Sequence, residues 1–229
     1  MLQFERQFWD QGYVRLAGVD EAGRGPLAGP VVAAALVFDR AFLEAELFGL
    51  LQGITDSKAL TGQQRDAFYL VLTQRCPASI GVGLADVAEI DSLNILRATH
   101  LAMARALQLL SPLPDLALVD GLPVSGLPCP SRAIVKGDAR SLSIAAASIV
   151  AKVTRDRLMV ELDRQYPQYG FARHKGYGTR AHMKALLEYG PSPIHRRSFR
   201  PVQDAARIHA DHSHRPQGSG FRVQEAEGI

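Results

Sequence analysis

The chain has 229 residues, 47% hydrophobic and 21% charged, a mix that suits one large globular domain and excludes a disordered protein. Lys and Arg total 26 against 23 Asp and Glu, so the net charge of +3 excludes a polybasic, histone-like chain but allows a local basic groove. The longest apolar run, VVAAALVF at 31–38, is far short of a membrane span, and the two cysteines, Cys76 and Cys129, lack CxxC spacing, which excludes a disulfide framework or a thiolate zinc site. With no signal peptide in MLQFERQFWDQ, the expectation is a soluble protein of the reducing cytoplasm.

Residues 1–13 read as a loose lead-in. VRLAGV at 14–19 predicts a strand that ends at Asp20-Glu21, and GRGPLAGP turns the chain into a second strand at 31–38. A continuous apolar run flanked by Gly and Pro suits a strand buried on both faces. Thr61 has the character of an N-cap for a helix carrying Phe68, Val71 and Leu72 at helical spacing. ASIGVGLAD at 78–86 alternates as a strand. Residues 88–110 read as one helix with Ile90, Leu93, Leu101 and Leu107 on its apolar side. LALVD (116–120) and RAIVKGD (132–138) are two short strands ending in acids. A helix follows from Ser141 to about Tyr166, then shorter ones at 180–189 and near 200–209. No internal repeat or Gly/Ser linker divides the chain. The order predicts an α/β fold, a mixed sheet with helices on both faces. The stretch from about 210 is polar and aperiodic and reads as mobile.

Three predicted strands end in acids: Asp20 with Glu21, Asp120 and Asp138. Strand ends on one side of an open α/β sheet are where ligands sit. Four carboxylates gathered there repel one another unless a cation neutralises them, and all-oxygen ligation suits Mg²⁺ or Mn²⁺. Two such ions roughly 3.5–4 Å apart serve phosphodiester cleavage, one activating water and the other stabilising the leaving oxygen. Taken singly, an Asp followed by Gly is better read as a turn cap; the repetition after separate apolar strands, together with the basic residues, favours a site. GRGPLAG fails as a dinucleotide-binding motif, because its glycines are misspaced and a strand follows it instead of a helix. It is either a bend that a ligand can approach closely or an ordinary tight turn.

From Arg173 to Arg200 seven Lys/Arg stand against one acid, Glu188, interleaved with Tyr177, Tyr189 and Phe199 and preceded by Tyr169 and Phe171. That pattern suits phosphate contacts plus stacking, or else a solvated face over core aromatics. Ser148, Lys152 and Arg155 share one helix face, which could line a phosphate track or simply be solvated. His174 and His195 read as substrate neighbours, His100 as structural, and His209, His212 and His214 as without a specific role.

In order along the chain, GVDEAGRGPLAGPVV, TDSKALT, EIDSLNIL, LVDG, VKGD, SIAAASIVAKVTRDR, YGFARHKGYGT and HRRSF resemble the motifs of bacterial ribonuclease HII, over Val14 to Val202. The resemblance implies a ribonuclease H-like catalytic domain over 14–202, with a C-terminal helical substrate-binding segment. It implies a Mn²⁺- or Mg²⁺-dependent endonuclease acting on RNA–DNA hybrids and on DNA duplexes with an embedded ribonucleotide; a monomer is the expectation, though no motif fixes the oligomeric state. It further implies a cut 5′ of that ribonucleotide that leaves 3′-hydroxyl and 5′-phosphate ends, a step in ribonucleotide removal from DNA. Residue by residue, Asp20, Glu21, Asp120 and Asp138 match the catalytic and metal-holding acids. Gly23, Arg24 and Gly25, with Tyr177 of HKGY, match the sensor of the 2′-hydroxyl at the RNA-to-DNA junction. Lys58 and Lys152 match phosphate contacts. Gly178-Thr179 departs from the more usual Pro-Thr, the tail carries no clear clamp-binding motif, and the roughly 13 residues before the first strand argue against the expectation of a platform domain like that of ribonuclease HIII. The rivals are a generic hybrid-cutting ribonuclease H and a catalytically silent binding module.

Overall fold

The apolar run becomes β2 (Val31–Phe38), all eight residues of it buried. It lies between β1 (Leu16–Ala22) and β3 (Ala78–Ala85), antiparallel to both, and β1 continues in parallel to β4 (Leu116–Asp120) and then β5 (Ser131–Ile134). The sheet order is β3-β2-β1-β4-β5, the mixed sheet expected. The computed structural model that gives this topology describes residues 1–213, with side chains to Ala210. The expected mobile tail lies outside the described residues except for its first few, which continue the last helix.

The run has no polar alternation because both faces of the sheet are covered. Ala34, Leu36 and Phe38 enter one core, while Val31, Ala33, Ala35 and Val37 enter the other. Across the first face runs α6 (Leu142–Gln165), whose residues 142–151 are all buried. Gly18 allows this approach: a Cβ there would sit 2.1 Å from the Ser143 carbonyl carbon and push the helix off the sheet. The opposite face is covered by α5 (Ile95–Gln108). Among the described residues no helix is long and apolar enough to cross a membrane.

Thr61 caps α3 (Gly62–Gln74) as expected, in a reciprocal capping box with Gln64. The helix expected at 88–110 is broken into α4 (Val87–Leu93) and α5 by Asn94, at φ 71°, whose side chain accepts from the amides of Leu96 and Arg97. With ψ 162° this backbone is strained for a non-glycine residue, and the cap its side chain supplies offsets the cost; an apolar periodicity that spans Asn94 hides the break. The strand expected at 132–138 ends at Ile134. Lys136 takes φ 55°, and Asp138 sits in a single 3₁₀ turn, Gly137–Ala139.

Residues 1–13 are not a loose lead-in. Gln3–Trp9 form α1, which buries Leu2, Phe8 and Trp9 in the first core and Glu5 completely. One Glu5 oxygen accepts from Ser141 Oγ (2.6 Å), Ser143 N (3.0 Å) and Ser143 Oγ (2.5 Å), at the positive N-terminal end of α6. Glu5→Ala leaves those donors unpaired and is expected to cost roughly 2–4 kcal/mol, several degrees in Tm, with Glu5→Gln costing less. Thermal unfolding followed by circular dichroism checks this; equal melting of all three proteins would mean that the latch contributes nothing.

After α6 come α7 (Phe171–His174), α8 (Arg180–Tyr189) and α9 (Arg200–Ser213), with α2 (Arg40–Glu46) on the other side of the chain order. This C-terminal segment closes over the bend after β1. Ala28 packs with Met159, Tyr169, Phe171 and Ala185, and Leu27 with Leu186, Val202 and Ala205.

Candidate active site

Because β1 and β4 are parallel and Val19 pairs with Val119, the next residues along, Asp20 and Asp120, emerge side by side at the carboxyl ends of the strands. Asp138 reaches the same point from the 3₁₀ turn after β5, not from a strand end as expected. One oxygen from each of Asp20, Asp120 and Asp138 lies within 4.8 Å of the others. Asp120 is fixed by accepting from the amide of Gly137 (2.7 Å), and Asp20 by accepting from that of Glu21 (2.7 Å).

The electrostatics are those of an uncompensated site. Burial pushes the Asp20 carboxyl well above the usual range, and Glu21 and Asp120 push it further. Asp138 is raised by burial, then by Asp120 and Asp56. Glu21 stands outside the triangle. Burial raises it too, but Arg24 Nη1 at 3.4 Å opposes the shift. Burial disfavours the charge on Lys58, yet Asp56, Asp20, Asp138 and Asp120 together hold its pKa above the ordinary value. Three convergent carboxylates with no soft ligand fit a hard divalent cation, which would relieve their mutual repulsion. Beside them, Glu21, Arg24, His100, Asp120 and Leu122 line a cleft of about 140 Å³.

The bend Gly23-Arg24-Gly25 stands at the rim. Gly23 has φ 100°, and a Cβ there would strike the Arg155 side chain at 2.0 Å, so glycine is required for both reasons. Arg24 and Gly25 are exposed. The half-exposed ring of Tyr177 lies against Gly25, where a Cβ would be 3.6 Å from its Cε1. Lys58 is exposed next to the acids, its neighbour Ser57 tied through its amide to Ser148 Oγ (3.1 Å). Lys152 lies one helical turn beyond Ser148 and is paired with Asp156 at 2.8 Å, so the structure does not bring it into the acidic cluster.

The ribonuclease HII family model matches residues 17–202. This chain belongs to the ribonuclease HII family. It is 52% identical over 204 residues to the ribonuclease HII of Geobacillus kaustophilus, covering 89% of this chain and 75% of that one. The crystal structure of ribonuclease H2 from Pyrococcus horikoshii OT3 superposes with a TM-score of 0.71 at 29% identity, over 86% of this chain and all but 1% of the other. The fold is also shared with Bst ribonuclease HIII solved in complex with Mn²⁺ (TM-score 0.64, 18% identity, 87% and 71% covered). The enzyme is therefore a ribonuclease H of type HII, an endonuclease that hydrolyses phosphodiesters.

Within this family member, several sequence expectations need correction. Arg155 does not line a phosphate track; it is buried, and its guanidinium donates to the carbonyls of Ala28, Pro30 and Lys175. Ser148 is likewise buried. In the basic segment Arg196 is wholly buried and Tyr169 and Phe171 are core, whereas Arg173, Arg180, Lys184, Arg197 and Arg200 face solvent. His195, expected as a substrate neighbour, is buried, with both ring nitrogens engaged by Ser192 and His182. Sequence reasoning missed Asp56, which stood in view in TDSK two residues before Lys58. It also missed Arg196, which nothing in HRRSF distinguishes from Arg197. His100, expected to be structural, lines the cleft and contacts Ser125 Oγ at 3.3 Å.

The buried histidines form a directed chain. His195 Nδ1 accepts from Ser192 N (3.0 Å), so its Nε2 carries the proton and donates to His182 Nε2 (3.0 Å). His182 Nδ1–H then donates to the carbonyl of Tyr177 (2.9 Å). The assignment follows from the network, each ring having one donor and one acceptor. Burial depresses both pKa values from 6.5, to about 4 for His182 and, helped by His182, to about 3 for His195. The rings are neutral in the folded state, whereas the unfolded chain takes up protons near 6.5. Their contribution is therefore intact above 6.5 and is lost as the pH falls from there toward about 4 for His182 and about 3 for His195. The raised carboxylates act in the opposite sense, so the difference between proteins isolates the histidines. Tm should fall less steeply below 6.5 in His182→Gln than in the parent; parallel profiles would contradict the neutral chain.

Proposed function

We propose that this enzyme, acting as a monomer in the cytoplasm, hydrolyses the RNA strand of RNA–DNA hybrids. In the same proposal it cuts 5′ of single ribonucleotides embedded in duplex DNA, leaving 3′-hydroxyl and 5′-phosphate ends, and so serves ribonucleotide removal. The observation that carries this reading is the position of the Asp20–Asp120–Asp138 triangle, with Asp20 and Asp138 buried, beside the exposed Arg24-Gly25 bend and the ring of Tyr177. The first can hold the catalytic cation and the second can test for a ribose at the scissile position.

Asp20, Glu21, Asp120 and Asp138 are the acids that would hold one or two divalent ions, Mn²⁺ or Mg²⁺. When bound, such ions supply a nucleophilic water at neutral pH and offset charge on the leaving oxygen. The protein's own part is positioning. Gly137 N and Glu21 N fix two of the carboxylates before any ion arrives, so little reorganisation remains. Lys58 offers a cation at the edge of the acids for a neighbouring phosphate. The bend at Gly23-Arg24-Gly25 presents backbone to the 2′-hydroxyl, the group that distinguishes RNA from DNA at one site. Tyr177 offers a face for the next sugar, which stacks only where no hydroxyl intervenes.

Arg24 and Lys152 in this reading meet phosphates. Arg24→Ala should weaken duplex binding and reduce the salt slope by about one counterion. Lys152→Ala should do less, since Asp156 already holds its ammonium. Unchanged salt slopes for both would place their charge away from DNA.

The test of the function is a labelled DNA duplex carrying one ribonucleotide, incubated with Mn²⁺, with the product ends mapped. A single cut 5′ of the ribonucleotide with a 3′-hydroxyl is expected. Cleavage of the long hybrid alone would reduce the enzyme to a generic ribonuclease H, and binding without cleavage would favour a silent module.

A further inference from the structure

Arg196 and Arg155 are the two largest fully buried side chains, 0% and 1% exposed, and among the described residues neither forms a salt bridge. Burying a cation without an acid is costly unless its hydrogen bonds are met. Here they are met by carbonyls. Arg196 donates to Gly23 O (2.6 Å), Arg24 O (3.0 Å) and Gly29 O (2.8 and 3.0 Å). Arg155 donates to Ala28 O (3.1 Å) and Pro30 O (3.0 Å) in the same bend, and to Lys175 O (3.0 Å) in the segment that carries Tyr177. Burial lowers the pKa of Arg196 to about 9 and of Arg155 to about 10, so both stay charged at neutral pH.

The consequence lies in peptide geometry. The bonds joining Gly23, Arg24 and Gly25 are trans, and in a trans peptide the C=O and the following N–H point in opposite directions. With the carbonyls of Gly23 and Arg24 drawn inward to one guanidinium, the N–H groups of Arg24 and Gly25 must point outward. Both residues are exposed, and neither amide donates to a partner among the described residues. The outcome is a pair of fixed, unpaired donors above a buried positive charge, next to Tyr177.

We propose that Arg196 is a positioning residue for ribonucleotide recognition: by capturing the carbonyls of Gly23 and Arg24 it aims the amides of Arg24 and Gly25 at an oxygen of the ribose, while Arg155 ties the far end of the bend to the Tyr177 segment. This rests on the ribonucleotide-junction reading above. It adds the group that sets the geometry and explains why a cation, rather than an apolar side chain, fills the interior there. A lysine ammonium cannot span three carbonyls with the planar fork that arginine provides.

Two measurements test it, both without divalent ions so that nothing is cleaved. In the parent protein, amide ¹⁵N–¹H spectra are recorded with a short DNA duplex containing one ribonucleotide and with the all-deoxy duplex of the same sequence. The Arg24 and Gly25 amides should shift downfield with the first and much less with the second; equal shifts, or none, overturn the proposal. In Arg196→Lys, affinity for the ribonucleotide duplex should fall about tenfold, the worth of two hydrogen bonds, while affinity for the all-deoxy duplex stays unchanged. Equal weakening on both duplexes would show a merely structural role, and no change on either would also reject it. Should Arg196→Lys fail to fold, the spectra of the parent protein still decide. If the parent cleaves the junction but its two amides stay silent, only this inference fails; if it does not cut at single ribonucleotides, the functional reading fails first.

Discussion

Asp120→Asn is expected to leave the fold intact while lowering cleavage by roughly 10³-fold or more, about 4 kcal/mol of transition-state stabilisation. The fold survives because the amide keeps an oxygen where Asp120 Oδ1 accepts from Gly137 N at 2.7 Å. Activity goes because a neutral ligand neither attracts nor polarises through a divalent cation as a carboxylate does. The neighbouring Asp20→Asn separates the two effects further. Burial, Glu21 and Asp120 raise the pKa of Asp20, so its ionisation at neutral pH opposes folding. Asparagine removes that penalty. The metal-free variant should therefore melt at a higher temperature than its parent while being equally dead. A lower Tm with retained turnover in saturating Mn²⁺ would remove Asp20 from the site.

Tyr177→Ala carries the second large effect. Tyr177 is 45% exposed, its ring beside Gly25, and the backbone beneath it is held by His182 and by the His174 carbonyl. Truncation therefore takes away a platform and leaves the acids and their geometry in place. Misplacement of a scissile bond costs on the order of 100-fold, which is the loss expected at a single embedded ribonucleotide. Tyr177→Phe keeps the ring and should retain most activity. On a long RNA–DNA hybrid, where many registers are productive, the Ala variant should lose much less. Equal losses on the two substrates would reject junction sensing and leave Tyr177 as a packing residue.

The acids were legible in the sequence because each follows a short apolar run, and parallel pairing of β1 with β4 converts that repetition into adjacency. Asp138 shows the limit of the same logic. It arrives through a left-handed Lys136 and a 3₁₀ turn, a backbone path that a strand pattern does not encode. Thr61 was readable as a cap because Gln64 completes its box, whereas Asn94 was hidden within continuous helical periodicity. Glu5 and Arg196 escaped for one shared reason. Charged residues are read from sequence as surface, and only tertiary donors or acceptors, here Ser141 and Ser143 or the carbonyls of Gly23, Arg24 and Gly29, make their burial tolerable. Of the basic segment, Arg173, Arg180, Lys184, Arg197 and Arg200 are exposed, as either a phosphate face or a solvated one would have them, while the buried Arg196 serves the architecture of the bend.

The central claim is that the Asp20–Asp120–Asp138 triangle is a divalent-cation site. Titration of Mn²⁺ into the parent protein and into Asp20→Asn, Asp120→Asn and Asp138→Asn, followed by calorimetry, tests it without reference to any substrate. Each variant should bind at least about tenfold more weakly than the parent, since each loses a charged oxygen ligand, and Tyr177→Phe should bind as the parent does. Mn²⁺ affinity unchanged across the three acid variants would contradict the account.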